Sequence, residues 1–173
     1  MIRALNRVLG CREYEETRRL QGTVIVTDSS VSFTSAPKRL LFVCIENSNL
    51  SQMAEAFGRI YGRERVEVYS AGLRPAGQIN PKAIEAMRAV GYDLSGHRSK
   101  SLAELPDIEF DFVATMGCGD ECLFIRAKLR EDWNIPDPKE MPPEEFRAVR
   151  DLIENKVFVL LRKLRIRDHK RWR

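Results

Sequence analysis

The chain of 173 residues has no apolar run long enough to cross a membrane. A transmembrane helix needs about 18 or more consecutive apolar residues, and no stretch approaches that length. The N-terminal segment MIRALNRVLGCREYEETRRL also lacks the continuous apolar core of a secretory signal. We therefore expect a cytoplasmic protein that has no membrane partner.

Metal-ligating residues are scarce as well. The chain has 2 histidines and 4 cysteines, and neither His97 nor His169 stands at zinc-ligand spacing from a cysteine. In a cytosolic chain, cysteines are more often reactive or metal-binding than paired in structural disulfides. We therefore expect no metal centre, and the cysteines become the main candidates for chemistry.

Positive charge is concentrated at the C-terminus. The net charge is +4, and residues 162–173 hold seven lysines and arginines against Asp168. Such a tail could contact nucleic acid or anionic lipid, or it could be a solvated helix end, where cations suit the helix dipole. Because Trp172 is the only aromatic residue among these charges, we favour the interpretation as a solvated helix end and expect no nucleic-acid partner. Residues 165–173 are assigned to a basic C-terminal tail.

Residues 1–37 differ from the rest of the chain in composition. They combine a charged segment, the apolar stretch TVIVT at 23–27 and a Ser/Thr-rich stretch that leads to Pro37. We interpret residues 1–37 as an N-terminal extension that holds one short strand or a hairpin. The main domain then covers residues 38–164, a length that suits one ordinary domain.

Apolar runs alternate with helical patterns in the main domain. The runs RLLFVC (39–44), VEVYSAG (66–72) and FDFVATM (110–116) are typical of buried parallel strands. Helical patterns follow the first two runs, and a long amphipathic helix begins at Pro142-Pro143. This alternation predicts an α/β fold with a central parallel sheet.

The first predicted strand delivers Cys44 to its carboxyl end, where a tight loop and a helix follow. In open α/β sheets, ligands bind at such strand ends, and loop N–H groups at a helix N-terminus converge on anions. The same field favours a thiolate at Cys44. The spacing fits a nucleophilic cysteine that faces an oxyanion and, equally well, a buried and inert cysteine at the end of an apolar strand.

The segment around Cys44 resembles the phosphate-binding loop of the low-molecular-weight protein tyrosine phosphatases and of the arsenate reductases that share their fold. Similar segments follow in the same order, namely VYSAG (68–72), NPKAIEAM (80–87) and SGHRSKS (95–101). The resemblance implies the three-layer α/β/α fold of the low-molecular-weight phosphatases. It also implies an oxyanion-binding loop that comprises Ile45, Glu46, Asn47, Ser48, Asn49, Leu50 and Ser51.

Two further segments resemble the reductases more than the phosphatases. TMGCGDEC (115–122) is similar to the loop of the redox cysteines in thiol-linked arsenate reductases, which implies redox roles for Cys118 and Cys122. EDWNIPDP (131–138) is similar to their Trp-Asp-Pro segment, which implies that Asp137 is the general acid. Taken without the resemblance, these residues could be two loop thiols and an Asp-Pro turn.

The loop departs from the family pattern at the position of its arginine, where this chain has Leu50. That arginine offers bidentate hydrogen bonds to an oxyanion, and loss of one oxyanion donor costs on the order of 10²–10³ in rate. Arg59 and Arg74 could in principle replace it, but we expect both on the surface. Glu46 adds a negative charge, which we expect to raise the thiol pKa and to repel arsenate.

The resemblance implies an arsenate reductase-like enzyme that is weakened by the loss of the loop arginine. Cys44 would attack arsenate, Asp137 would protonate the departing oxygen, and a second thiol would release arsenite. Thioredoxin or a low-molecular-weight thiol would reduce the resulting disulfide, and no metal or organic cofactor is required. Two alternatives stay open: a low-molecular-weight protein tyrosine phosphatase-like hydrolase that uses phosphocysteine, and a degenerate, non-catalytic module that binds an oxyanion or a protein partner.

Overall fold

The computed structural model describes residues 22–27, 30–122 and 124–166. The chain divides into two compact units, Met1–Ala36 and Pro37–Arg173. In the first unit, strands β1 (Gly22–Thr27) and β2 (Ser30–Ser35) pair as an antiparallel hairpin. Most of the predicted basic tail lies outside the described residues, and the assignment of extension, main domain and tail stays a prediction.

The second unit is built on a parallel sheet of four strands. The strands are β3 (Lys38–Cys44), β4 (Val66–Gly72), β5 (Phe112–Met116) and β6 (Arg130–Asp132), in the order β4-β3-β5-β6. Residues 40–43 of β3 have no exposed surface, because both faces of this central strand are covered. The predicted α/β fold with a central parallel sheet is confirmed. The edge strand β6 was not predicted, since its sequence Arg-Glu-Asp has no strand pattern.

Three α-helices cover one face of the sheet: α1 (Leu50–Gly62), α2 (Pro81–Arg88) and α3 (Pro143–Lys163). Leu40 and Phe42 of β3 pack towards these helices, whereas Leu41 and Val43 point to the opposite face. Loops and short 3₁₀ turns cover that opposite face and supply the third layer. Among the described residues, no helix combines the length and the apolar character that a membrane span requires.

The carboxyl ends of the parallel strands place the loop after Cys44 against the end of β4. Cys44 stands in register with Gly72 of β4 and with Met116 of β5. A Cβ atom at Gly72 would lie only 2.8 Å from the backbone nitrogen of Asn47 and 2.8 Å from the backbone oxygen of Ile45. A side chain at position 72 would therefore push the loop away, so that glycine permits this close approach.

Candidate active site

Cys44 ends β3, and its sulfur is enclosed by the loop that leads into α1. Cys44 Sγ lies 2.9 Å from Ser51 Oγ, and the backbone N–H of Asn47 donates to the same sulfur over 3.2 Å. The loop bends at Asn47, whose φ of 49° lies in the left-handed region that asparagine tolerates better than most residues. The sulfur is thus surrounded by N–H and hydroxyl groups, an arrangement that suits a thiolate or a bound anion.

The side chain of Asn47 holds this loop in place through both ends of its amide. Its Nδ2 donates to Ser51 Oγ over 2.8 Å and to Ser70 Oγ over 2.9 Å. Its Oδ1 accepts from Gln52 Nε2 over 2.9 Å and from the backbone N–H of Lys100 over 2.7 Å. A buried amide whose polar atoms all have partners specifies one loop conformation.

The buried carboxylate of Glu55 extends this hydrogen-bond network. Glu55 accepts a hydrogen bond from Ser70 and forms ion pairs with Arg59 and with Lys100, the latter at 3.3 Å. The guanidinium of Arg59 is therefore engaged on the surface of α1, and Arg74 is exposed. Both arginines occupy surface positions, as expected.

Burial governs the acidity of Cys44. It raises the pKa of this thiol above its ordinary value, while hydrogen bonds from Ser51 and from loop N–H groups act in the opposite direction. The side chain is 5% exposed. The expectation that the field at the strand end favours the thiolate is therefore corrected, because burial outweighs the loop donors.

The negative charge of Glu46 is paired with Lys139. Its Oε1 lies 2.7 Å from Lys139 Nζ, and its Oε2 accepts from Ser48 Oγ over 3.2 Å. The hydrogen bond from Lys139 lowers the pKa of Glu46. The expectation that Glu46 raises the thiol pKa is corrected, since burial does so and Lys139 compensates the carboxylate.

The predicted general acid lies on the loop that carries this lysine. Asp137 Oδ1 accepts from the backbone N–H of Lys139 over 3.1 Å. Lys139 thus holds Asp137 through its backbone and Glu46 through its side chain. The lysine links the loop of the predicted acid to the loop of the predicted nucleophile.

A cavity of about 140 Å³ opens beside Cys44. Its walls comprise Cys44, Ile45, Glu46, Ser48, Asn49, Leu50, Met116, Gly117, Ile135 and Asp137. The structure therefore brings the predicted nucleophile and the predicted acid together around one space. Two residues of the predicted loop, Asn47 and Ser51, are not part of the cavity wall and instead form hydrogen bonds with Cys44 Sγ. Leu50 is the first residue of α1, is 6% exposed, and lines the cavity.

Cys118 and Cys122 form a thiol pair that is separate from the Cys44 site. Their sulfur atoms lie 3.1 Å apart, and the hydrogen bond from Cys122 lowers the pKa of Cys118 to about 7. Both are buried thiols that pack with Val43 on the sheet face opposite α1. The structure joins these two cysteines to each other and places both outside the cavity that Cys44 lines. Within the described part of the chain, no group of three or more His, Cys, Asp and Glu side chains could hold a metal ion.

Sequence reasoning assigned no role to several residues that hold the site, namely Glu55, Ser70, Lys100 and Lys139. Ser70 and Lys100 lie within the segments VYSAG and SGHRSKS, which resemble the family and were the available signal. Lys139 gave no such signal, because its partner Glu46 lies 93 residues away in the sequence.

Comparison with known proteins places this site in a family. The low molecular weight phosphotyrosine protein phosphatase family matches residues 39–170. A protein of Synechocystis sp. named glutaredoxin arsenate reductase is 35% identical over 130 residues, which cover 73% of this chain and 98% of that protein. Arsenate reductase 2 of Staphylococcus saprophyticus is 40% identical over 124 residues, which cover 69% of this chain and 93% of that protein.

The chain also superposes on solved structures of arsenate reductases. An arsenate reductase in the phosphate binding state superposes with a TM-score of 0.67 at 35% identity, over 73% of this chain and 98% of that chain. A thioredoxin-dependent arsenate reductase of Corynebacterium glutamicum superposes with a TM-score of 0.64 at 31% identity, over 76% of this chain and 63% of that chain. Because the family match spans most of the chain and the relatives' folds superpose on it, the chain belongs to the low molecular weight phosphotyrosine protein phosphatase family.

Proposed function

We propose that this chain is an arsenate reductase-like enzyme in which the Cys44 thiolate attacks a bound oxyanion. The observation that carries the proposal is the loop around Cys44, whose sulfur lies 3.2 Å from the Asn47 N–H and 2.9 Å from Ser51 Oγ. Asp137 lines the same cavity. The names of the relatives support reductase chemistry, since those named above are arsenate reductases.

In the first step, Cys44 attacks the arsenic atom of a bound arsenate. An arsenic–sulfur bond forms, an arsenic–oxygen bond breaks, and Asp137 donates a proton so that the oxygen leaves as water. Ser51 and the N–H of Asn47 stabilise the thiolate before the attack. Burial opposes this stabilisation, because it raises the pKa of Cys44.

In the second step, another thiolate attacks Cys44 Sγ. A disulfide forms, the arsenic–sulfur bond breaks, and the electron pair stays on arsenic, which leaves as arsenite. Cys118, with a pKa of about 7, and Cys122 are internal candidates, but the 3₁₀ turn Gly119–Cys122 would have to move towards Cys44. A low-molecular-weight thiol needs no such movement. Thioredoxin or a low-molecular-weight thiol then reduces the disulfide.

Leu50 makes the proposed enzyme weak. A guanidinium at this position would bind the oxyanion in a bidentate way and oppose the charge that develops in the transition state. Among the residues that the structure describes, no arginine lines the cavity. We therefore expect slow turnover, and we include a cytoplasmic location in the proposal because reduced thiols are maintained there.

Two alternatives rest on specific observations. The name of the matching family favours phosphotyrosine-type hydrolysis through phosphocysteine. The buried Leu50 in the cavity wall favours a non-catalytic module that binds an oxyanion or a protein partner. Cys44 and Asp137 around one cavity favour an enzyme over the binding module, and the thiol pair favours the reductase over the phosphatase.

A steady-state assay separates the three functions. The purified full chain is incubated with arsenate and either a thioredoxin system or a low-molecular-weight thiol, and with a phosphate ester in parallel. We expect thiol-dependent release of arsenite that disappears in Cys44→Ser. Hydrolysis of the ester without arsenite release would establish the phosphatase instead. Absence of both activities, in the native chain and in Leu50→Arg, would favour the binding module.

A further inference from the structure

The Cys44 cavity is poorly suited to a highly charged anion. Among the described residues, its walls contain no lysine and no arginine, whereas they contain the carboxylates of Glu46 and Asp137. Lys139 compensates Glu46 from outside the wall. A ligand that enters this space meets no net positive charge from side chains, so each further negative charge on the ligand is less favourable.

One side of the cavity is apolar. Leu50, Ile135 and Met116 line it, and these side chains are 6%, 7% and 1% exposed. A charged oxygen placed against them would lose its hydration without gaining a hydrogen bond. A methyl group in the same place would gain free energy by leaving water.

We propose that the Cys44 cavity takes an oxyanion that carries one small organic substituent, a monoalkyl arsonate or phosphonate, in preference to inorganic arsenate or phosphate. The substituent lies against Leu50. Replacement of one ionisable hydroxyl by a methyl group also reduces the charge that the ligand can carry. The volume of about 140 Å³ is close to that of a cavity of about 150 Å³ that holds benzene, so a head group with a methyl substituent has room.

The chemistry of this substrate rests on the proposed reductase function. Cys44 displaces one hydroxyl of methylarsonate as water, with the proton from Asp137, and the arsenic–carbon bond stays intact. A low-molecular-weight thiol attacks Cys44 Sγ, a disulfide forms, and arsenic leaves with the electron pair as trivalent methylarsonous acid. A second equivalent of the thiol reduces the disulfide.

Two measurements on the full chain test the preference. Calorimetric titration compares methylphosphonate with phosphate, and a thiol-coupled assay compares kcat/KM for methylarsonate with that for arsenate. We expect the methylated ligand to be favoured at least about threefold in each, somewhat below the effect of one fully buried methylene. Leu50→Arg should reverse the order, Leu50→Gln should abolish the preference, and Leu50→Met should keep it because the apolar wall is retained.

The outcomes are distinguishable. Equal or tighter binding of phosphate in the native chain overturns the inference, as does a lack of binding by either anion. A preference that survives in both Leu50→Gln and Leu50→Arg also overturns it, since Leu50 would then not be its source. Preferential binding of methylphosphonate without reduction of any arsenical would support the ligand class and refute the reductase function.

Discussion

The two thiol-bearing loops of the domain have opposite acid–base properties. At Cys44, which is surrounded by the donors of an anion-binding loop, burial raises the thiol pKa. At Cys118, on the other face of the sheet, a hydrogen bond from Cys122 lowers the pKa to about 7. Burial thus outweighs the loop donors at Cys44, whereas the hydrogen bond from the neighbouring thiol outweighs burial at Cys118.

The loops differ in their support as well. The Cys44 loop is held by the fully bonded amide of Asn47, and Gly72 gives it room. The Cys118 loop contains left-handed glycines at 117 and 119 and a 3₁₀ turn of four residues. We infer that the Asn47 network keeps the nucleophile site rigid, whereas the turn is held by Arg130, whose guanidinium donates to the backbone oxygen of Cys122 over 2.9 Å. The following predictions test this difference.

The largest effect is expected from Asn47→Ala. The change removes the four hydrogen bonds of the buried Asn47 amide, and we expect a loss of about 3 kcal/mol in the free energy of unfolding. Urea denaturation measures it. The control is Asn80→Ala, which removes the N-cap bond to the Lys82 N–H of α2 and should cost about 1 kcal/mol. Equal losses in the two variants would contradict the rigid-loop interpretation.

Leu50→Arg comes next. We expect at least about a tenfold gain in arsenate reduction or phosphate-ester hydrolysis, a cautious fraction of the effect of one oxyanion donor. Phosphate should also bind more tightly, because the guanidinium acts in the ground state too. The gain should vanish when Leu50→Arg is combined with Cys44→Ser. A folded variant without any gain would show that the site has lost another essential element.

Cys122→Ala tests the origin of the acidity at Cys118. Without the hydrogen bond from Cys122, the pKa of Cys118 should rise from about 7 towards its ordinary value, so the thiolate fraction at neutral pH should fall about tenfold or more. Titration followed by the ultraviolet absorbance of the thiolate measures this, with Cys118→Ser as the blank. Cys122→Ser, which keeps a hydroxyl donor, is the matched control and should shift the pKa less.

Lys139→Met should give the smallest effect. The variant leaves Glu46 unpaired beside the loop, and we expect kcat/KM for an oxyanion to fall about two- to fivefold, since a half-exposed ion pair is worth little. The double variant Lys139→Met, Glu46→Gln should recover most of the loss. If the single variant matches the native chain, the lysine does not couple the two loops.

The strands were predictable because they are buried. The run 66–72 coincides with β4, and the run 39–44 lies within β3; continuous apolar residues are needed wherever a strand is covered on both faces. The final helix begins at Pro143, as its paired prolines and apolar stripe indicated. The strand β6 was missed because edge strands need backbone pairing but few apolar side chains.

The succession of strand, turn and helix around Cys44 was also predictable from the sequence, since the three follow one another within a few residues. The electrostatics were decided by the tertiary structure. The pairing of Glu46 with Lys139, the burial of Cys44 and the separation of Cys118 from the cavity all depend on contacts between segments that lie far apart in the chain. Local patterns report which side chains are apolar, whereas pKa values depend on the distances and burial that only the packed sheet, helices and loops establish.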